Sequence, residues 1–72
     1  MRQHGMTIDQ AQDAARVLNA RKPLIKTEVQ IAARHMNDLP ADDRRYTVYC
    51  TTLTWHYTLS SVDDLYAILA TS

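Results

Sequence analysis

One cysteine, one glycine and two prolines are all that the chain spends on its special residues, and each shortage excludes something. A single cysteine rules out an internal disulfide, so nothing points to an oxidising compartment. With one glycine there is no glycine-rich phosphate loop and no flexible linker. No apolar run approaches the roughly 20 residues needed to cross a bilayer. The N-terminal MRQHGMTIDQ also lacks the apolar stretch of a secretory signal. A cytoplasmic protein is therefore expected. No internal repeat and no low-complexity tract occurs. MRQHG reads as the start of a frayed tail over residues 1–6, which leaves residues 7–72 as a single small globular domain.

Charge of one sign is missing too. Eight basic and eight acidic residues cancel, although the halves differ. Residues 1–36 carry six bases against three acids, and residues 37–72 carry two bases against five acids. The bases Arg16, Arg21, Lys22 and Lys26 could meet phosphate or an acidic partner. The simpler account is helix electrostatics, with acids in first turns and bases in last turns.

Seventy-two residues lie near the lower limit for independent folding, where a core contributes only about 3–5 kcal/mol net. What the chain does have is helical periodicity followed by a β-rich stretch. Thr7 with Gln10 forms a capping box, Asp9 lies in the first turn, and Ile8, Ala11, Ala15 and Leu18 fall at helical spacing. Arg21-Lys22-Pro23 ends that helix. A second helix is predicted from Leu24 or Thr27 to Asp38, with Ile25, Val29, Ala32, Ala33, Met36 and Leu39 as its stripe. Residues 44–59, RRYTVYCTTLTWHYTL, then concentrate the tryptophan, the cysteine and three of the four tyrosines. A turn at Thr51-Thr52 would pair Cys50 with Leu53, Val48 with Trp55 and Tyr46 with Tyr57 on one buried face. Arg45, Thr47, Tyr49, Thr54, His56 and Thr58 would face outward. Thr-Thr is a poor two-residue turn, which leaves room for a longer loop. Ser60 or Ser61 caps a last helix carrying Asp63 and Asp64 in its first turn. The expected class is α+β, with two N-terminal helices, a β-hairpin and a C-terminal helix. An all-α helical bundle is the alternative, because Tyr46, Tyr49, Cys50, Leu53 and Tyr57 also form a helical stripe.

The chemistry-bearing residues do not converge. Cys50 and His56 fall on opposite faces of the hairpin, or about 120° apart on a helix, so neither geometry makes a thiol-imidazole dyad. His4, His35 and His56 have no ligand partner at i+3 or i+4, and there is no CxxC pair. No catalytic residue, metal or cofactor is expected. An aromatic platform for nucleic acid would expose Tyr46, Trp55 and Tyr57, which the hairpin instead turns toward the helices. A helix-turn-helix with the hairpin as a wing fits the element order, which makes a small winged-helix-like DNA-binding regulator the alternative function, acting through the basic turn over residues 16–26. Its recognition helix, however, carries few bases.

A protein-binding module remains. Small size, unpaired sheet edges and an outer hairpin face bearing Arg45, Tyr49 and His56 all favour contact with a protein or with a second copy of the chain, as a homodimer through the hairpin. In size, neutrality and lack of a catalytic motif the chain resembles the small orphan proteins of bacteriophages and mobile elements, including anti-CRISPR proteins that block a host complex by surface contact. That resemblance is one of type and transfers no residues.

Overall fold

The computed structural model describes residues 5–70. Helix α1 runs Ile8–Arg21. Its start follows the local chemistry: Thr7 Oγ1 accepts the Gln10 amide and the Gln10 side chain accepts the Thr7 amide, both at 3.1 Å. Two otherwise orphaned donors are thus satisfied reciprocally. Its end is marked by the Lys22 amide donating to the Leu18 carbonyl, and then by a tight turn closed by the Ile25 amide on the Lys22 carbonyl. Pro23 cannot continue the helix, and its fixed φ suits the second position of that turn.

The second predicted helix does not form. The segment folds instead as strand β1, Lys26–Ile31, followed by two short 3-10 helices, Arg34–Asp38 and Ala41–Asp43. The physical reason is the run Lys26-Thr27-Glu28-Val29-Gln30-Ile31. Its β-branched residues recur at every second position, where they suit a pleated surface and lose rotamer freedom in a helix. His35 consequently sits exposed on a 3-10 helix. With the segment extended, the helix-turn-helix arrangement loses its recognition helix, and the all-α bundle is likewise overturned. Arg44 secures the irregular stretch, its guanidinium donating to the carbonyls of Leu39 at 2.7 Å and Asn37 at 2.8 Å.

Strands β2, Tyr46–Thr51, and β3, His56–Leu59, form the hairpin. It is part of a three-stranded antiparallel sheet in the order β1-β2-β3. The expected register is displaced by four residues. Cys50 pairs with Tyr57 and Val48 with Leu59, so the connection is the four-residue loop 52–55 rather than a Thr51-Thr52 turn. Thr52 makes that loop: its amide donates to the Trp55 carbonyl at 2.8 Å, and its hydroxyl oxygen accepts the amides of Thr54 and Trp55. Such side-chain bonds let threonine replace the glycine that a two-residue hairpin demands. A shift of four preserves parity, so Tyr46, Val48, Cys50 and Tyr57 keep the expected face while Leu53 leaves it.

Helix α2, Val62–Ala70, begins with Ser61 Oγ accepting the Asp64 amide and Asp64 Oδ2 accepting the Ser60 amide. Helix α1 packs on β1 and β2, and α2 on α1 and β3. Ala11, Ala14 and Leu18 of α1 meet Tyr46, Val48, Cys50 and Leu59 of the sheet and Leu65 of α2 in one buried cluster. Both helices therefore cover the same face, and no described element covers the other, bare face of the sheet. Met6, at the end of the segment expected to fray, is buried and bridges Tyr46. Gly5 adopts φ +95°, and a Cβ there would lie 2.8 Å from Arg45 Cβ. Only glycine lets the chain run this close to Arg45 and Tyr46. Residues 1–4 of the expected tail, with Arg2 and His4, lie outside the described residues.

Candidate functional site

Alternation along the strands sorts the bare face. It carries Lys26, Glu28 and Gln30 from β1, Thr47, Tyr49 and Thr51 from β2, and His56 and Thr58 from β3. Arg45, immediately before β2, has the same parity but is half-buried at the far end, beside Gly5. Tyr49 and His56 meet edge to face, with ring centroids 5.9 Å apart and planes at 68°, a favourable aromatic geometry. Together with Thr51, Thr52, Thr54 and Trp55 they line a shallow, open concavity of about 550 Å³. Of the three residues expected to contact a partner, Tyr49 and His56 are thus brought together, and Arg45 stands apart from them.

Trp55 is the hinge of this region. Beyond the concavity it also borders a groove of about 410 Å³ with Tyr57, Ala67 and Ile68, and a hollow with Leu24 and Leu53. Expected in the core, Trp55 is 43% exposed, as is Tyr57. Leu53, expected to pack beside Cys50, is fully exposed, and Leu24 is 87% exposed. Leu24 belongs to the α1–β1 turn and Leu53 to the β2–β3 loop, so the register of β1 on β2 carries both to the same end of the sheet. From Tyr46 to Val62 there is no Asp, Glu, Lys or Arg. The loop and β3 are therefore apolar and aromatic without formal charge, and Lys26, which pairs with Thr51 and borders a hollow with Leu24 and Leu53, supplies a cation at this end. Sequence reasoning missed Leu24, Leu53 and Trp55 as surface residues. The weakness of Thr-Thr as a tight turn was the signal for the longer loop that expels two of them.

The second candidate patch is dispersed. Arg16 and Arg21 are exposed on α1 but five residues apart, about 140° around the helix, and Arg16 is engaged by Asp13. Lys22 is half-buried, and Lys26 lies on the bare face beside Glu28 in sequence.

Cys50 is fully buried on the helix-covered face, whereas His56 is exposed on the other. Burial pushes the Cys50 thiol above its ordinary value of 9.0, the reverse of what an activated nucleophile needs. Partial burial and the neighbouring carboxylate of Asp64 raise the Tyr57 hydroxyl. Among the described residues, no group of three or more His, Cys, Asp or Glu is placed to hold a metal ion. No helix among them is long and apolar enough to cross a membrane. No protein-family model matches the chain, and no curated protein or solved structure is significantly similar to it.

Proposed function

We propose that the protein is a non-enzymatic protein-binding module that docks through the β2–β3 end of its sheet, on a protein partner, on a second copy of itself, or on both. The observation that carries this reading is the exposed cluster of Leu24, Leu53 and Trp55. A small domain has little apolar surface to spare, and exposed apolar patches mark interaction sites. Leu53 and Trp55 act as anchors. Tyr49 and His56 extend the contact over the bare face, and Arg45 forms its rim. An inhibitor that blocks a larger complex by surface contact would use such an end. Nucleic acid is the weaker reading, because the stretch from Tyr46 to Val62 supplies no Lys or Arg to phosphate, and Lys26 on the neighbouring strand shares its face with Glu28.

The test is affinity capture from a bacterial lysate, run in parallel with wild type and Leu53→Asp and analysed by mass spectrometry. A protein retained by wild type and lost with the variant is the expected result. Salt-sensitive retention of DNA or RNA, unaltered by Leu53→Asp, would overturn the reading.

A further inference from the structure

We infer that the edge of β3, which no described strand covers, is a self-pairing edge, at which a second copy adds antiparallel about a twofold axis through Tyr57 to make a continuous six-stranded sheet. This rests on the reading of the hairpin end as a contact surface and names one occupant for its edge.

The backbone sets the chemistry of that occupant. Tyr46 exchanges both of its backbone bonds with Met6, while the Arg45 carbonyl accepts from Ala32 on the β1 side. Alternation then directs Val48 and Cys50 toward β3, and the Thr52–Trp55 bond continues the series. Their partners Tyr57 and Leu59 face β2, so His56 and Thr58 turn their N–H and C=O groups outward. Residues 56–58 are all exposed. Such a row of donors and acceptors is matched by an extended strand. Twofold antiparallel pairing places the His56 of each copy opposite the Thr58 of the other, and every outward donor then meets an outward acceptor. Tyr57 meets its own copy in a non-hydrogen-bonded pair, where side chains approach most closely.

The self-matching His56–Thr58 edge favours a copy, and charge decides between the two edges. Edge strands are protected by lysine, proline or inward-pointing charge, and β3 and its flanks from Tyr46 to Val62 hold neither lysine nor proline nor any formal charge. The two β3 strands therefore bring no like charge to each other, on a chain whose net charge is zero, and the Asp64 carboxylate of α2, which neighbours Tyr57, is engaged by the Ser60 amide. The opposite edge, β1, carries exposed Lys26 and Glu28. Pairing at β3 also sets Tyr57, which α2 leaves partly uncovered beside Ala67 and Ile68, against Tyr57 of the second copy, with the Trp55 of each copy diagonal to the Tyr57 of the other. Symmetric closure of this kind ends at a dimer.

Sedimentation equilibrium tests the inference. Wild type should show a monomer–dimer equilibrium in the micromolar range. Thr58→Pro removes an outward N–H that the monomer does not use, so it should fold with an unchanged circular dichroism spectrum. It removes two symmetry-related bonds, and dimerisation should weaken by about 30-fold or more. Register is read separately by Tyr57→Cys in a Cys50→Ala background. Oxidised glutathione should link two such chains through that position, being reduced to glutathione as the two thiols form the disulfide. Thr54→Cys in the same background should not cross-link. If Thr58→Pro does not fold, this cross-link decides alone. A wild-type monomer, aggregates without a fixed stoichiometry, a dimer indifferent to Thr58→Pro, or no cross-link at position 57 would overturn the inference. None of these touches the docking of another protein at Leu53, which is read by capture with Leu53→Asp.

Discussion

Leu53 and Leu59 are six residues apart in one hairpin, and truncating each to alanine should have opposite consequences. Leu59 is fully buried opposite Val48, within the cluster that includes Leu18 and Leu65. Leu59→Ala deletes three carbon atoms, worth about 2.4 kcal/mol in transfer free energy at about 0.8 kcal/mol each. The partly unfilled cavity brings the loss to about 3 kcal/mol. Against a total near 3–5 kcal/mol for a domain of this size, that leaves a barely stable chain. Leu53 is fully exposed, so Leu53→Ala should change stability by no more than about 0.5 kcal/mol. Urea titration followed by far-ultraviolet circular dichroism separates the two. With a slope near 1 kcal/mol per molar urea, Leu59→Ala should lower the midpoint by about 3 M and Leu53→Ala by about 0.5 M at most. If Leu53→Ala destabilised by about 2–5 kcal/mol, the residue would be packed beside Cys50 as a two-residue turn requires, and the four-residue loop would be refuted.

Gly5→Ala should cost about 1–3 kcal/mol through its positive φ and the crowding of Arg45, seen as a lowered thermal midpoint; an unchanged midpoint would detach the N-terminal segment from Tyr46. Burial holds the Cys50 proton more tightly in the folded chain than in the unfolded one. Its contribution is therefore fully present below its ordinary value of 9.0 and is lost as pH rises beyond it. Denaturation series at increasing alkalinity should show this slope diminished in Cys50→Ala, leaving the later loss from Tyr57, whose hydroxyl is also raised from 10.0; an identical slope in both chains would contradict the assignment. Tyr49→Ala should weaken partner binding by more than about 1 kcal/mol while leaving the thermal midpoint in place, and Arg45→Ala should weaken it less because Arg45 stands apart. Titration calorimetry with the captured protein checks both.

Much of this fold is legible locally. The Thr7–Gln10 box starts α1 where the residues place it, and Ser61 with Asp64 starts α2. The parity of Tyr46, Val48 and Cys50 identifies the buried face of the hairpin, and the class α+β follows. The α1–β1 half is different. Ile25, Val29, Ala32 and Met36 satisfy a helical period, while Thr27, Val29 and Ile31 satisfy a strand period. The choice depends on a tertiary fact, that β2 has a free edge for β1 to pair with. Neither edge of a two-stranded hairpin reveals that from sequence, and a helix over residues 27–38 leaves both edges unpaired. The same limit governs the site. Tyr49 and His56 were visible as outward residues, but Leu24 reaches Leu53 only through the pairing of Lys26 with Thr51.

The most direct test of the docking surface is hydrogen exchange of the chain with and without its captured protein. The free chain at low concentration should exchange rapidly at the outward amides of His56 and Thr58 and through the loop 52–55. Binding should slow exchange there and around Tyr49, with α1 unchanged. Protection centred instead on Arg16, Arg21, Lys22 and Lys26, with the loop still exchanging freely, would contradict the account and move the contact to the basic turn.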